Sequence, residues 1–584
     1  MVALQVLRVV LLSTVWIGRV CLAYSNICKQ DKSLDKFSWA TINPSEDLVW
    51  TECYGDKHCA RLKVPLDYTN PNGPSAAIAI VRVHSVVSHN SPSYRGPILI
   101  NPGGPGGSGV DMAINIGNRL QTIVGPEFDI IGFDPRGIAR SIPRANFFSS
   151  RAERALFDAW NIPSPNASAE VLPRIWAHGT LMGQLARGND DGSLKFIHTD
   201  YTARDMLRIV QKHNSEKLQY WGFSSVLTDL FGKFLSSGQI WQRLGSNFCC
   251  NDNVGRIVID GVTDVDDYYA TKWSNSLRDT DQVFRAFAVG CAAAGPSGCA
   301  FYSGSPDQIL TNIETLASSL RARPIPIQTS TSHGILDFSA FRTTLFRSLY
   351  VPYAQFPTLA KALASLASGN ASDFWELSLV VRGMRQPFQC GCNPGEFQFE
   401  SLGEATWAVL CNDGAQISAD YEDFEAYYTE LSKTSTFADQ WTMPRMGCLE
   451  WPKFPKTNFQ GPFTANTSFP LLLIGNTGDP VTPLWSAQKV SKGFKDSVVL
   501  TQDSFGHCSL SGPSLCTHKH IRAYFLNGTL PELGTVCSVD TQLFPVASSH
   551  YEEAQVVLGL LTESDMELYH NAQRLSMEFH VPMF

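Results

Sequence analysis

The sequence is poor in charge, because only 17% of its 584 residues are Asp, Glu, Lys or Arg, whereas about a quarter is usual in globular proteins. The formal net charge is −8. Without an excess of basic residues, we expect no nucleic acid among its partners. After residue 25 the sequence also lacks any apolar run of about 18 residues, the length that a membrane-spanning helix needs. We therefore expect no stable membrane insertion.

The sequence also lacks the cysteine spacing of a zinc site. None of the 15 cysteines belongs to a C-x-x-C pair, and the C-x-C at Cys390 and Cys392 is poorly spaced for zinc. We predict no metal and no cofactor. What the chain does have is apolar material, with 44% hydrophobic and 11% aromatic residues. That composition excludes a disordered or fibrous protein and predicts a large buried core.

The first 23 residues have the features of a secretory signal peptide. Arg8 precedes a short apolar run, and Cys21-Leu22-Ala23 resembles a cleavage site. The alternative is an N-terminal anchor, but the run is short and Arg19 interrupts it. Many cysteines suit an oxidising compartment. Four N-x-S/T sequons also agree with a secreted, extracellular glycoprotein: Asn166, Asn370, Asn466 and Asn527.

Short apolar segments that alternate with helical spacing predict an α/β fold. The predicted strands are 78–86, 97–100, 128–133, 218–222, 256–262, 469–474 and 497–501, and residues 202–213 have helical spacing. This order favours a mostly parallel sheet with helices on both faces. Residues 264–465 lose the alternation and predict a large helical cap. The domain prediction is 1–23 signal peptide, 24–263 and 466–543 the two parts of the core, 264–465 cap and 544–584 tail.

Three loops at predicted strand ends contain the residue types that acyl transfer requires. Gly222-Phe223-Ser224 ends one strand, and a G-x-S turn exposes a serine hydroxyl on a sharp elbow. Asp479 follows another strand, where a carboxylate can orient an imidazole. His507 follows the next. The chain order Ser224, Asp479, His507 is that of α/β-hydrolase triads. Asp503 is a rival acid, although four residues before the histidine it is better placed to cap a turn.

A glycine-rich run at residues 103–109 follows an early predicted strand. Such a loop lets backbone N–H groups approach a developing oxyanion without side chains in between. The alternative, a phosphate-binding loop, would end in Lys-Ser or Lys-Thr, which is absent.

These motifs together resemble the secreted tripeptidyl aminopeptidase-like serine peptidases, which are related to proline iminopeptidase and have the α/β-hydrolase fold. The resemblance rests on Asn101-Pro102-Gly103-Gly104-Pro105-Gly106, Gly132-Phe133-Asp134-Pro135-Arg136-Gly137, Tyr220-Trp221-Gly222-Phe223-Ser224, Asn476-Thr477-Gly478-Asp479-Pro480-Val481-Thr482-Pro483 and Gly506-His507-Cys508-Ser509. It covers about residues 53 to 543. It implies Ser224 as nucleophile, Asp479 as acid, His507 as base, and oxyanion donors at Gly103, Gly104 and Ser225.

One departure from the family pattern affects the elbow. The family has G-x-S-Y-G, whereas this chain has Val226 two residues after Ser224. The connection from Ser224 to Asp252 is also too long for one ordinary helix. Residues 244–251 are what a family-type helix would become if its codons were read one base early. We interpret residues 225–251 as the product of a retained intron or a mispredicted splice site. The alternative is a diverged, inactive elbow.

The sequence thus predicts a secreted serine hydrolase, most simply an aminopeptidase that acts on peptides with a free N-terminus. A carboxylesterase with the same triad and a non-catalytic homologue remain alternatives, so the expected partner is a peptide or a small ester. Spacing and family likeness imply disulfides Cys53–Cys59, Cys291–Cys299 and Cys411–Cys448, and at least one more among Cys508, Cys516 and Cys537. Selection of a substrate ammonium requires a carboxylate in the cap, for which Asp413 and Glu450 are candidates.

Overall fold

The fold is built on one ten-stranded sheet in a computed structural model that describes residues 37–160, 162–224, 253–382, 402–455, 461–545 and 561–579. Its strands lie in the order β1-β2-β3-β5-β4-β6-β7-β10-β11-β12. They are β1 (Thr51–Cys53), β2 (Lys57–Pro65), β3 (Ser75–Val83), β4 (Gly96–Asn101), β5 (Phe128–Phe133), β6 (Leu218–Phe223), β7 (Val254–Asp260), β10 (Leu472–Gly478), β11 (Val498–Phe505) and β12 (Val536–Ser538). Pairing is antiparallel from β1 to β5 and parallel from β5 to β12.

The central strands are buried on both faces, which explains their continuous apolar character. In β4, Ile98 and Ile100 belong to one hydrophobic cluster while Leu99 belongs to the cluster on the opposite face. Ile130 and Ile131 divide between the same two clusters in β5. Since alternate side chains of a strand point to opposite faces, the sheet has a helical layer on each side. The prediction of an α/β fold with a mostly parallel sheet is confirmed.

Helices follow or connect most of the strands. They are α1 (Gly109–Val124), α2 (Arg151–Asp158), α3 (Val171–Gly188), α4 (Thr199–Lys212), α5 (Val265–Tyr269), α6 (Thr280–Gly298), α7 (Pro306–Ala322), α8 (Phe338–Ser348), α9 (Pro352–Ala367), α10 (Ser372–Val381), α11 (Leu402–Asp413), α12 (Tyr421–Leu431), α13 (Met443–Met446), α14 (Leu484–Ser491), α15 (Leu515–Asn527) and α16 (Glu563–Glu578). None of the helices in these ranges is long and apolar enough to cross a membrane.

Helices α5 to α13 lie in the long insertion between β7 and β10. The insertion also contains a two-stranded antiparallel hairpin, β8 (Ile325–Gln328) and β9 (His333–Leu336), which the sequence analysis did not predict. The insertion touches the glycine-rich loop directly, because the Thr406 hydroxyl of α11 donates a hydrogen bond to the Pro105 carbonyl at 2.6 Å. It therefore packs on the core at the edge of the sheet where β4 ends.

The last described helix, α16, packs against α1 and α15 of the core. Thr562 caps its N-terminus by accepting from the Asp565 N–H. Asn571 donates to the Arg119 carbonyl of α1 at 2.9 Å. Phe579, which is buried, lies against Phe223 with ring centroids 5.9 Å apart. This part of the predicted tail is therefore integrated into the core.

Four disulfides join the described cysteines. Three are the predicted pairs, Cys53–Cys59, Cys291–Cys299 and Cys411–Cys448. The fourth, Cys516–Cys537, is the additional link expected among Cys508, Cys516 and Cys537, and Cys508 is a buried free thiol. The disulfide predictions are confirmed. Cys390 and Cys392 lie outside the described residues, as do the signal peptide and the suspect segment 225–251.

Candidate active site

Ser224 directly follows β6 and lies in a sharp turn. Its φ of 64° is in the left-handed region, which is uncommon for a residue with a side chain. The residue is buried, and Gly103 of the glycine-rich loop packs against it. A Cβ placed on Gly103 would lie 2.6 Å from the Ser224 Cβ and 2.2 Å from the Phe223 carbonyl oxygen. Strained backbone at a strand end is the geometry of a nucleophile elbow.

Asp479 and His507 form a fully buried pair at the ends of β10 and β11. The His507 Nδ1 atom lies 3.0 Å from each carboxylate oxygen of Asp479. The same carboxylate accepts from the N–H groups of Val481, Thr482 and Cys508, at 2.9, 2.8 and 3.0 Å. These bonds fix the direction of the carboxylate, so that the imidazole carries its proton on Nδ1. The opposite nitrogen, Nε2, is then available as a base.

Ser224 and the histidine loop are in contact through the backbone. The Ser224 N–H interacts with the Cys508 thiol, next to His507. Within the described part of the chain, the His507 Nε2 has no hydrogen-bond partner, so the structure does not join it to the Ser224 hydroxyl. Catalytic hydrogen bonds are often long in ligand-free sites and shorten when substrate binds. The structure therefore brings all three residues to one edge of the sheet. It does not show the hydrogen bond between His507 Nε2 and the Ser224 hydroxyl.

The predicted oxyanion loop lies beside this elbow in a conformation that requires glycine. Gly103 and Gly104 have φ values of 89° and 117°. The Gly103 N–H donates to Asn101 Oδ1 at 3.0 Å, so it must leave this partner before it can bind an oxyanion. The Asp134 carboxylate supports the end of the loop, because it accepts a hydrogen bond from the Ser108 hydroxyl at 2.5 Å. The third predicted donor, Ser225, lies outside the described residues.

Three residues that hold the histidine were not predicted from the sequence. Asn476 donates to the carbonyls of Gly506 and Cys508, both at 2.8 Å. The Thr482 hydroxyl donates to Asp479 Oδ2 at 2.8 Å and lies 3.0 Å from His507 Nδ1. The Tyr350 carbonyl accepts from the His507 N–H at 2.8 Å. Asn476 and Thr482 are in the quoted motif, but only the fold shows what they contact.

The two candidate amine-binding carboxylates are engaged by protein groups. Asp413 is fully buried and accepts from the Thr199 N–H at 3.1 Å and from the Tyr268 hydroxyl at 3.0 Å. Glu450 pairs with Arg187 at 2.6 Å near the surface. These contacts tie the cap to the core, and neither carboxylate is brought to the Asp479–His507 pair by them.

A cavity of about 460 Å³ lies between residues 158–182 and the cap, and Tyr350 is one of its lining residues. The Tyr350 ring lines it and stands against the His507 imidazole, with centroids 5.3 Å apart. Apolar walls come from Phe346, Trp407 and other residues, and charged groups including Arg347 also line it. Its volume is within the usual range of ligand pockets. Tyr350 thus lies between this cavity and the candidate base His507.

Two clusters of metal-ligating side chains occur among the described residues, and contacts within the protein oppose metal binding at both. Cys516 and Cys537, near His520, are joined in a disulfide and cannot bind a metal as thiolates. His84, His89 and Asp129 lie at the amino ends of the parallel strands. There the Arg82 guanidinium, 3.1 Å from His84 Nε2, opposes a cation. Neither cluster includes a residue of the candidate triad.

Comparison with known proteins identifies the same segments. Residues 96–225 match the family described as "alpha/beta hydrolase fold", and residues 434–537 match the family described as "TAP-like protein". The first match ends one residue after Ser224, where the sequence departs from the elbow pattern.

Three curated relatives are similar over most of their length. Serine protease Hip1 of Mycobacterium tuberculosis is 24% identical, over 84% of this chain and 91% of the relative. Carboxylesterase B of the same organism is 26% identical, over 82% and 86%. Tripeptidyl aminopeptidase of Streptomyces lividans is 22% identical, over 84% and 86%.

Among solved structures, proline iminopeptidase of Mycobacterium smegmatis is 11% identical and covers 80% of this chain and 100% of its own, with a TM-score of 0.30. A score this low does not support a fold assignment. The assignment rests instead on the sheet topology and the family match.

The sheet order, the elbow at Ser224 and the buried Asp479–His507 pair, together with these relatives, define a serine hydrolase with the α/β-hydrolase fold. Within that class the chain is similar to the tripeptidyl aminopeptidase of Streptomyces lividans, and its residues 434–537 match the TAP-like family. The resemblance stated from the sequence motifs is confirmed.

Proposed function

We propose that the protein is a secreted aminopeptidase that releases short peptides from free N-termini through an acyl-enzyme intermediate. Ser224 attacks the scissile carbonyl, His507 Nε2 takes the hydroxyl proton and gives it to the leaving amine, and Asp479 stabilises the imidazolium. Water then attacks the acyl-enzyme with the same base. The observation that carries the proposal is the Asp479–His507 pair, whose Nδ1 contacts leave Nε2 directed away from the acid.

The cavity that Tyr350 lines supports a peptide substrate. Its volume of about 460 Å³ suits a few residues, and its mixture of aromatic and charged walls suits an extended chain with polar backbone groups. Because residues 158–182 and the cap both line this cavity, a substrate bound there is enclosed between cap and core. Such enclosure favours short peptides over an internal site in a folded protein.

The exposed glycosylation sequons and the disulfides both support secretion. All four sequon asparagines are solvent-exposed, and four disulfides join described cysteines. Disulfides persist in oxidising compartments. We expect the four asparagines to carry glycans when the protein is expressed through a eukaryotic secretory pathway, which mass spectrometry before and after glycosidase treatment would detect.

An esterase is the second candidate, because a relative of similar identity is named Carboxylesterase B. Both activities use the same triad, so substrates separate them. We propose comparing kcat/KM for a tripeptide p-nitroanilide with a free N-terminus, its N-acetylated form, and a p-nitrophenyl ester. An aminopeptidase loses activity on acetylation. Equal turnover of both peptides, or turnover of the ester alone, would replace the aminopeptidase proposal with an endopeptidase or an esterase.

A non-catalytic homologue is the third candidate, because of the altered elbow after Ser224. A fluorophosphonate probe labels an activated serine covalently. We expect labelling of the wild-type chain at Ser224, and none in Ser224→Ala, which is the matched control. A folded wild-type chain without labelling would show that the triad is inactive.

A further inference from the structure

A second buried carboxylate, Asp260, lies between the strands that carry the nucleophile and the acid. It is the last residue of β7, paired in register with Phe223 of β6 and with Ile474 of β10. Its side chain is completely buried. The triad as described makes no use of this carboxylate, although burial of a charge is costly unless the charge is compensated.

The buried charge of Asp260 is compensated by Ser509, which lies two positions after His507. Oδ1 accepts from the Ser509 N–H at 2.7 Å, and Oδ2 accepts from the Ser509 hydroxyl at 2.5 Å. Its backbone carbonyl contacts the Cys508 thiol at 3.2 Å. The next residue, Gly261, approaches the site so closely that a Cβ there would lie 2.5 Å from the Cys508 sulfur and 3.4 Å from His507 Cε1.

The histidine loop is therefore clamped from two strands. Asn476 of β10 binds the carbonyls of Gly506 and Cys508, while Asp260 of β7 binds the N–H and hydroxyl of Ser509. Between these anchors, Cys508 takes a left-handed φ of 62°. A loop that turns this sharply keeps its conformation only if its neighbours hold it.

We propose that Asp260 is a positioning residue of the hydrolase: its carboxylate holds Ser509, and thereby the His507 imidazole, and its negative charge stabilises the imidazolium formed during catalysis. It acts through the loop and does not replace Asp479, since His507 Nδ1 already faces both oxygens of Asp479. This inference rests on the proposed triad.

The titratable groups around the imidazole are few. Asp479 contacts it from β10, Tyr350 packs on it from the cap, and Cys508 follows it in the chain. Asp260, at the end of β7, interacts with it electrostatically, and the Asp279 carboxylate interacts in the same way with Asp479. Burial raises the pKa of Asp260 to about 6, while its bonds from Ser509 and the charge of His507 oppose that rise. The carboxylate is therefore ionised at neutral pH and is neutralised on mild acidification.

The test is Asp260→Asn, compared with Ser509→Ala. Asparagine keeps the shape and can still accept from the Ser509 N–H, but it lacks the charge. We expect kcat/KM to fall by about 10- to 100-fold, as for loss of a charge-assisted hydrogen bond. We also expect the acidic limb of the kcat/KM profile to move to lower pH by about one unit. Ser509→Ala keeps the charge, so kcat/KM should fall less and the limb should stay in place.

Each outcome has a separate meaning when wild-type labelling by the fluorophosphonate is measured in parallel, with thermal melts to confirm folding. If wild type is labelled at Ser224 but Asp260→Asn keeps the wild-type kcat/KM and acidic limb, the role of Asp260 is refuted and the triad stands. If Asp260→Asn and Ser509→Ala lose the same activity with no shift of the limb, Asp260 has only a structural role. If folded wild type is not labelled, the proposed function fails, and this inference fails with it.

Discussion

Gly103 allows a direct test of how closely the oxyanion loop must approach the nucleophile. Its φ is 89°, and an added Cβ would lie 2.2 Å from the Phe223 carbonyl oxygen and 2.6 Å from the Ser224 Cβ. The first contact is with backbone, which cannot rotate away. Gly103→Ala must therefore push the elbow and the loop apart.

Two costs add at this position. A side chain in the left-handed region costs about 1–2 kcal/mol, and overpacking of a tight site costs about 1–3 kcal/mol. Gly192 is a matched control, because its φ is 90° and nothing lies within 4 Å of a Cβ placed there. Gly192→Ala should show the first cost alone. The gain from a stiffer unfolded chain is the same for both substitutions and cancels in the comparison.

Activity should separate the two variants more sharply than stability does. A displacement of about 1 Å at a reacting group can cost about 100-fold in rate. We expect Gly103→Ala to lose about 100-fold in kcat/KM and Gly192→Ala to keep the wild-type value. Urea unfolding gives the free energies, and hydrolysis of one chromogenic substrate gives kcat/KM. If Gly103→Ala matched Gly192→Ala in both, the close approach would have no functional meaning.

Three further predictions concern the acid, the cap and a buried glutamate. Asp479→Asn should lower kcat/KM by about 10⁴-fold, because an amide can stabilise the wrong tautomer of His507; a loss under tenfold would refute the role of the acid. Replacing Cys411 and Cys448 by alanine opens a link of sequence separation 37 and should lower the free energy of unfolding by about 4 kcal/mol, which denaturant titration measures against wild type. Burial raises the pKa of Glu404 from 4.5 to about 7. The folded chain then holds that proton more tightly than the unfolded chain, so the free energy of unfolding should fall by about 3 kcal/mol as pH rises from about 4.5 to 7. Glu404→Gln should remove that slope, and an unchanged slope would contradict the assignment.

The sequence predicted the parallel centre of the sheet because its strands are buried on both faces. Phe128–Phe133 was predicted with both ends correct. β2 was missed, since Lys57, Arg61 and Lys63 interrupt its apolar pattern. In the structure the Arg61 guanidinium lies over the Trp39 ring, a contact between distant residues that no local pattern contains.

For the candidate site, the positions of the three triad residues were predicted from the sequence, but the contacts that support them were not. Ser224, Asp479 and His507 follow strands, so their placement at one edge follows from the order of the elements. The contacts that hold the histidine were not predictable in this way. Asp260 and Asn476 are a buried carboxylate and amide in apolar strands, and only the packing of β7 and β10 beside the histidine loop gives them partners.

The integration of α16 has a consequence for how the protein is made. Phe579 packs on Phe223, the residue before the nucleophile, and Asn571 binds Arg119 across 452 residues of sequence. During synthesis, the strand that carries Ser224 leaves the ribosome long before these partners exist. Until α16 has been translated, the apolar surface that it covers stays open to chaperones or to aggregation. A ribosome-stalled chain that ends before residue 561 should therefore bind chaperones more strongly than one that extends beyond residue 579.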